Sequence, residues 1–111
     1  MTTLTIRHQC GTIVGFSAKG RTGYAEEGED IVCAAVSAIT QTAMMGLKRF
    51  APDTRARWRE GDAPLLEVEV PHPTRETEVI LTTMVIGLED ILSGVPQYVR
   101  ILHTGSEVES K

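Results

Sequence analysis

The chain of 111 residues has only two cysteines, Cys10 and Cys33, and three histidines. Two cysteines this far apart cannot build a disulfide framework, and we expect both to be free thiols. No spacing of histidines, cysteines and carboxylates marks a metal site, so we expect no metal and no cofactor. Basic residues are also scarce, with 11 against 15 acidic residues and a net charge of −4. This balance disfavours direct nucleic-acid binding, which needs a broad basic face.

Long apolar runs are absent as well, and the longest fall far short of the roughly 20 residues of a membrane span. The first residues, Met1 to Thr5, lack the charged and then apolar pattern of a signal peptide. We therefore expect a cytoplasmic protein without a membrane partner. The length suits one small domain, which we place at residues 1–104, with a loose polar tail at 105–111.

Alternating apolar residues predict strands, and apolar residues at helical spacing predict two helices. The predicted order is ββα–ββ–αβ, which fits an α+β fold with a small mixed sheet and two helices on one face. The predicted strands are Leu4 to His8, Ile13 to Ala18, Arg55 to Arg59, Leu65 to Val70 and Tyr98 to Leu102, and the helices are Asp30 to about Leu47 and Arg75 to Leu92.

Cys33 is the candidate for chemistry. It follows a glycine-rich stretch and should lie in the first turn of a helix that Asp30 caps. Free N–H groups at a helix start favour a thiolate, the reactive form of cysteine. On position alone, however, the favoured interpretation of Cys33 is a small buried apolar side chain, as most free cysteines are.

The segment Asp-Ile-Val-Cys-Ala-Ala-Val-Ser, residues 30–37, resembles the signature block of the ribosomal-processing cysteine proteases, the Prp family. The preceding Gly-Tyr-Ala-Glu-Glu-Gly-Glu is similar to the loop of that family, and Gly20 stands where the family has the glycine of a Gly-His-Ala motif. The resemblance covers nearly the whole chain. It implies a homodimeric, intracellular cysteine endopeptidase that removes an N-terminal extension from a large-subunit ribosomal protein, with Cys33 as nucleophile.

The resemblance fails at two adjacent positions of the site. The histidine of Gly-His-Ala is Arg21 here, and the alanine is Thr22. An arginine stays protonated near neutral pH, so it cannot accept the thiol proton or readily donate one to the leaving amine. It could still favour the thiolate by its charge.

Other side chains could supplement the site. His72 and His103 could serve as the base in a dimer or across the sheet edge, although the simpler interpretation of each is a solvated surface histidine. Ser37, one turn after Cys33, could orient a peptide or simply pack. Trp58 could form a dimer surface, a peptide groove or plain core. Arg55, Arg57 and Arg59 make one strand face basic, which could meet an acidic partner surface, although a solvated face is the simpler interpretation.

Three functions follow. The first is an active protease with an altered base. The second is a binding module, a homologue that recognises the ribosomal protein's extension or another peptide but cuts slowly or not at all. The third keeps the family but changes the partner, since an arginine in the cleft would favour an acidic ligand.

Overall fold

The computed structural model describes residues 1–20, 29–59 and 65–105, apart from the side chains of Glu29 and Asp30. The chain forms five strands and two helices in the predicted order, which confirms the α+β class. Their bounds are β1 Thr2–Gln9, β2 Thr12–Lys19, α1 Glu29–Phe50, β3 Arg55–Arg59, β4 Leu65–Glu69, α2 Arg75–Gly94 and β5 Val99–Gly105. β5 extends past its predicted end, and the rest of the predicted tail lies outside the described residues.

The five strands form one mixed sheet in the order β3-β4-β2-β1-β5. β1 pairs with β2, β2 with β4 and β3 with β4 in antiparallel fashion. β5 joins β1 in parallel, with Thr2 opposite Val99 and Ile6 opposite His103. The parallel pairing requires a crossover between β4 and β5, and α2 supplies it.

One face of the sheet carries the core. Leu4, Ile6, Phe16 and Val68 point to this face and are almost fully buried. Both helices add apolar stripes to the same cluster, namely Val32, Val36, Ala43 and Leu47 from α1 and Leu81, Met84, Val85 and Leu88 from α2. The apolar residues that alternate along the strands and those that recur every three to four residues along the helices therefore pack together in a single buried layer.

The opposite face of the sheet is polar and exposed. Arg7, Gly15, Glu69 and Arg55 lie in one cross-strand row. Arg7 reaches across Gly15 to Glu69, with 3.3 Å between Nη2 and Oε2. A Cβ on Gly15 would lie 2.7 Å from the Val68 carbonyl oxygen and 2.9 Å from the Arg7 guanidinium, so only glycine fits between them. Exposed ion pairs of this kind contribute little to stability, so the packed face rather than this one supplies most of the side-chain stabilisation.

β3 at the sheet edge carries the predicted basic strip. Arg55 and Arg57 pair with Glu69 and Glu67 at 3.7 and 3.5 Å, so much of the strip's charge is compensated within the sheet. Trp58 points to the helix-bearing face but is 54% exposed, which rules out the plain-core interpretation.

Both helices start close to their predicted positions. Thr74 caps α2 as expected, and its hydroxyl accepts the Thr77 backbone N–H in a capping box. α1 begins at Glu29, one residue before the predicted cap. The assignment of Asp30 as N-cap was therefore wrong, because Asp30 already lies inside the first turn.

α1 also has the length and composition of a membrane-spanning helix. Residues 31–50 reach a mean hydropathy of 1.4, and 28% of that window is buried. The expectation from the sequence considered only uninterrupted apolar runs, which are short, whereas α1 meets this criterion by its length and mean hydropathy. A core helix of a soluble protein meets the same criterion, and the buried stripe of α1 packs against α2 and the sheet.

The β1–β2 turn holds Cys10 in a left-handed backbone conformation that asparagine adopts more readily than cysteine. Cys10 has φ 54° and Gly11 φ 77°, between the paired residues Gln9 and Thr12. Two successive positive φ angles are typical of the type I′ turn, which favours Asn-Gly. We expect Cys10→Asn to raise the free energy of unfolding by up to about 1 kcal/mol. Cys10→Ala is the control and should give no gain in urea unfolding, because alanine meets the same backbone strain; equal gains for both would contradict this explanation.

Candidate active site

Cys33 lies near the start of α1 and faces the start of β1. It is the fifth residue of the helix, and its thiol is partly buried. Its Sγ lies 3.2 Å from Oγ1 of Thr2, the first residue of β1. The predicted position in the first turn was slightly too early, since Cys33 follows the first turn of α1, where backbone N–H groups have no partner within the helix. The Cα–Cβ bonds of a helix tilt towards its N-terminus, however, so the sulfur still points to that end.

Gly20 lies at the same end of the sheet as Cys33. Lys19, the last residue of β2, pairs with Thr3 of β1, and Gly20 comes next, towards the level of Thr2. The register therefore brings Gly20, Thr2 and Cys33 to one end of the fold. Arg21, which follows Gly20 directly in the chain, lies outside the described residues, and so does the side chain of Asp30.

Ser37 and Thr40 follow Cys33 along α1 but differ in their surroundings. Ser37 is exposed one turn after Cys33, where a bound peptide could reach it. Thr40 is buried, and its hydroxyl donates to the carbonyl oxygens of Val36 and Ser37 at 2.9 and 3.3 Å. Thr40 therefore serves the packing of the helix, and Ser37 stays a candidate for contact with a peptide.

All three histidines lie towards the other end of the sheet. His8 is six residues beyond Thr2 on β1, which amounts to about 20 Å along the strand. His103 is four residues beyond Val99, the partner of Thr2, or about 13 Å. His72 follows β4 near the far end and is bonded to Asp53, whose pKa this hydrogen bond lowers. Neither His72 nor His103 can thus act as the base for Cys33 within one chain.

His8 and His103 form a pair of their own. His8 Nε2 lies 2.9 Å from His103 Nδ1, and the rings are tilted by 40°. Burial and the neighbouring His103 lower the pKa of His8 below its ordinary value of about 6.5, while Glu78 acts in the opposite direction. Such a pair is stable when at least one ring is neutral, because two imidazolium ions would repel each other.

This pair should make the fold acid-sensitive. Because the pKa of His8 is lower in the folded than in the unfolded chain, the unfolded chain binds more protons as the pH falls below about 6.5. We expect the Tm of the wild type to fall between pH 7.5 and pH 5 more steeply than that of His8→Gln, which calorimetry across this range would measure. Parallel curves for the two proteins would show that His8 makes no such contribution.

Within the described ranges, no three side chains of the histidine, cysteine, aspartate and glutamate types come together as a metal site would require. The side chain at the Cys33 end that sequence reasoning missed is Thr2. The predicted β1 began at Leu4, but continuing its alternation through Leu4 and Ile6 back to Thr2 would have placed this hydroxyl on the helix-bearing face.

Known proteins show the same fold and a related sequence. The model of the family described as "Cysteine protease Prp" matches residues 1–100. The ribosomal processing cysteine protease Prp of Mycoplasma pneumoniae is 30% identical over 99 residues, covering 89% of this chain and 91% of that protein. The Mycoplasma genitalium protein of the same name is 31% identical over 84 residues, covering 76% and 82%.

A solved structure agrees with these relatives. The S. aureus ribosomal processing protease Prp, crystallised with a substrate peptide, superposes with a TM-score of 0.76 at 22% identity, covering 94% of this chain and all of that one. A Streptococcus mutans protein reaches a TM-score of 0.83 at 21% identity, covering 96% of both chains. At these identities the superpositions establish the shared fold, while the family match and the curated relatives establish the kinship: this chain belongs to the Prp family of cysteine proteases.

Proposed function

We propose that this protein is a cysteine endopeptidase that removes the N-terminal extension of a large-subunit ribosomal protein, with Cys33 as the nucleophile. The relatives named as ribosomal processing proteases support the substrate class. In this proposal Arg21 occupies the place of the family histidine, and Gly20, Asp30 and Ser37 support the site.

The observation that carries the proposal is the different placement of the two thiols. Cys33 is partly buried at the end of the sheet where Gly20 leads into the glycine-rich segment, and a hydroxyl contacts its sulfur. Cys10 is exposed in the turn at the opposite end of β1. Only Cys33 combines access with a polar partner that can orient the sulfur, as a nucleophile needs.

Cleavage of the peptide bond requires two groups, a thiolate that attacks the carbonyl carbon and a donor that protonates the leaving amine. The thiolate of Cys33 attacks the carbonyl carbon of the peptide bond, and the C–N bond breaks to leave a thioester on the sulfur. The departing amine must gain a proton, which histidine gives in a Cys–His protease. The Arg21 guanidinium can favour the thiolate by charge, but it is too weak an acid for this step. Water must therefore protonate the amine, and later hydrolyse the thioester, at a reduced rate.

The placement of the histidines favours a second candidate, a binding homologue that holds the peptide without efficient cleavage. His8, His72 and His103 all lie towards the sheet end remote from Cys33. Such a protein would bind the ribosomal protein's extension with or without the Cys33 sulfur. A third candidate, recognition of an acidic ligand, is motivated only by the charge of Arg21.

We also propose a cytoplasmic homodimer, as the family resemblance implies. Five large apolar side chains on the two helices are at least half exposed, which suits an interface. They are Ile31, Met45 and Phe50 on α1 and Val79 and Ile86 on α2. In a dimer, a histidine of the second subunit would be the remaining candidate for the missing base.

The test is incubation with a peptide that spans the processing site, followed by mass spectrometry, with Cys33→Ala beside the wild type. The protease proposal expects two fragments from a single cleavage, and neither fragment with Cys33→Ala. Binding of the intact peptide by both proteins without cleavage would contradict it and establish the binding homologue. If neither protein binds the peptide, the substrate assignment is wrong.

A further inference from the structure

Thr2 presents a buried hydroxyl to the candidate nucleophile. The residue is 4% exposed, and its Oγ1 lies 3.2 Å from Cys33 Sγ although the two are 31 residues apart in the chain. Either atom can be the donor in this contact. The hydroxyl is therefore the polar group that the fold brings to the sulfur from the sheet side.

The backbone holds this hydroxyl in place. The Thr2 N–H donates to the Tyr98 carbonyl oxygen at 2.8 Å, and Thr2 pairs with Val99 of β5. Threonine is branched at Cβ, so its side chain has few rotamers once the backbone is fixed. The position of Oγ1 is thus set by the sheet, while the position of Sγ is set by α1.

We propose that Thr2 is a positioning residue for Cys33, whose hydroxyl donates to the sulfur, favours its thiolate form and fixes the direction of its attack. This inference rests on the proposed role of Cys33 as nucleophile. A hydrogen bond to a charged acceptor is stronger than one to a neutral acceptor, so an O–H donor stabilises the thiolate more than the thiol.

Thr2 is not a substitute for the histidine. A hydroxyl is far too weak a base to take the thiol proton, which must pass to solvent. What Thr2 supplies is a preference for the ionised sulfur, and this matters more here than in a Cys–His pair because Arg21 cannot act as a base.

The test compares Thr2→Val, which keeps the branched shape without the hydroxyl, with Thr2→Ser, which keeps the hydroxyl. All proteins carry Cys10→Asn, so Cys33 is the only thiol. Alkylation by iodoacetamide, in which an S–C bond forms and iodide leaves, is followed by intact mass from pH 5 to pH 10. We expect the midpoint of the pH profile to rise by about one unit in Thr2→Val, with alkylation about threefold slower on the acidic side, because the more reactive thiolate partly offsets its tenfold smaller fraction. Thr2→Ser should follow the parent.

The limiting rate of alkylation at high pH gives a second test of the role of Thr2. A thiolate that has lost a hydrogen bond is more basic and hence more nucleophilic, so the limiting rate of Thr2→Val should rise up to about threefold. A change of packing alone would alter access to the sulfur at every pH without moving the midpoint. Thr2→Ala serves as the second hydroxyl-free variant if Thr2→Val does not fold, as judged by circular dichroism.

Coincident midpoints for the parent, Thr2→Ser and the folded hydroxyl-free variant would overturn the inference. Alkylation requires no peptide turnover, so this result is independent of the protease assay. A shifted midpoint in a protein that never cleaves the ribosomal peptide would support the role of Thr2 and contradict the proposed function. Cleavage of the ribosomal peptide together with an unshifted midpoint would support the proposed function and contradict the role of Thr2.

Discussion

Replacement of Arg21 by histidine is expected to raise the rate of cleavage of the ribosomal peptide by about 10²- to 10⁴-fold. This is the range that general acid–base catalysis contributes in enzymes. The Cys33 thiol and its hydroxyl partner Thr2 are present, so in the proposed mechanism the step that lacks a catalytic group is protonation of the leaving amine. Single-turnover cleavage followed by mass spectrometry measures the change.

Two variants separate a restored base from other effects of the substitution. Arg21→Gln removes the charge without supplying a base and should show no gain. Cys33→Ala combined with Arg21→His should abolish cleavage. If Arg21→His folds normally and cleaves no faster than the wild type, the substrate cleft has diverged beyond this one position and the proposed mechanism loses its main support.

Phe16→Ala is expected to give the largest loss of stability, about 3–5 kcal/mol. Phe16 is 1% exposed on the central strand β2, between Ile6 of β1 and Val68 of β4, under the helices. Its truncation removes apolar burial and leaves a cavity that a sheet held on both sides cannot close. Because a domain of this size is stable by only about 5–15 kcal/mol, such a loss removes a large part of the total.

The chain contains its own control for this prediction. Phe50, the other phenylalanine, ends α1 and is 62% exposed. Phe50→Ala should change the free energy of unfolding by no more than about 0.5 kcal/mol. Urea denaturation of both variants gives the comparison. Similar losses at the two positions would mean that the assignment of the core to the helix-bearing face of the sheet is wrong.

The elements of this fold follow closely from the sequence because their signals are local. Alternation in β1 and β4 and the helical spacing of Val32, Val36 and Leu47 each require only a few neighbouring residues. β3 was predicted to the residue, and the Thr74 cap of α2 was confirmed. The start of α1 was missed by one residue because Asp30 is a good capping residue that the helix incorporates instead.

The arrangement of the strands could not be predicted from local sequence patterns. The sheet order and the parallel pairing of β5 with β1 join segments more than 90 residues apart, such as Thr2 and Val99. No local pattern encodes such a partner, because many registers would bury the same apolar face. The remoteness of His103 from Cys33 depends on this pairing and that of His72 on the pairing of β4 with β2, so both became visible only in the folded chain.

The candidate site could likewise be predicted only in part from the sequence. Cys33 was identified from the resemblance of residues 30–37 to a family block, and its position on a helix alone would have favoured a bland interpretation. Thr2 had no signal of its own, since a threonine at the start of a strand is an ordinary residue. Its importance comes from the 3.2 Å contact with Cys33, which β1 and α1 create together.

The central claim, that Cys33 is a nucleophile within a peptide-binding cleft, is tested most directly by affinity labelling. A peptide with the sequence preceding the processing site, ending in a chloromethyl ketone, alkylates a nearby thiolate without needing a proton donor for an amine. The account predicts a single adduct on Cys33, formed much faster than with a chloromethyl ketone that lacks the peptide, while Cys10 stays unmodified. Equal labelling of Cys10 and Cys33, or no advantage of the peptide, would contradict the account.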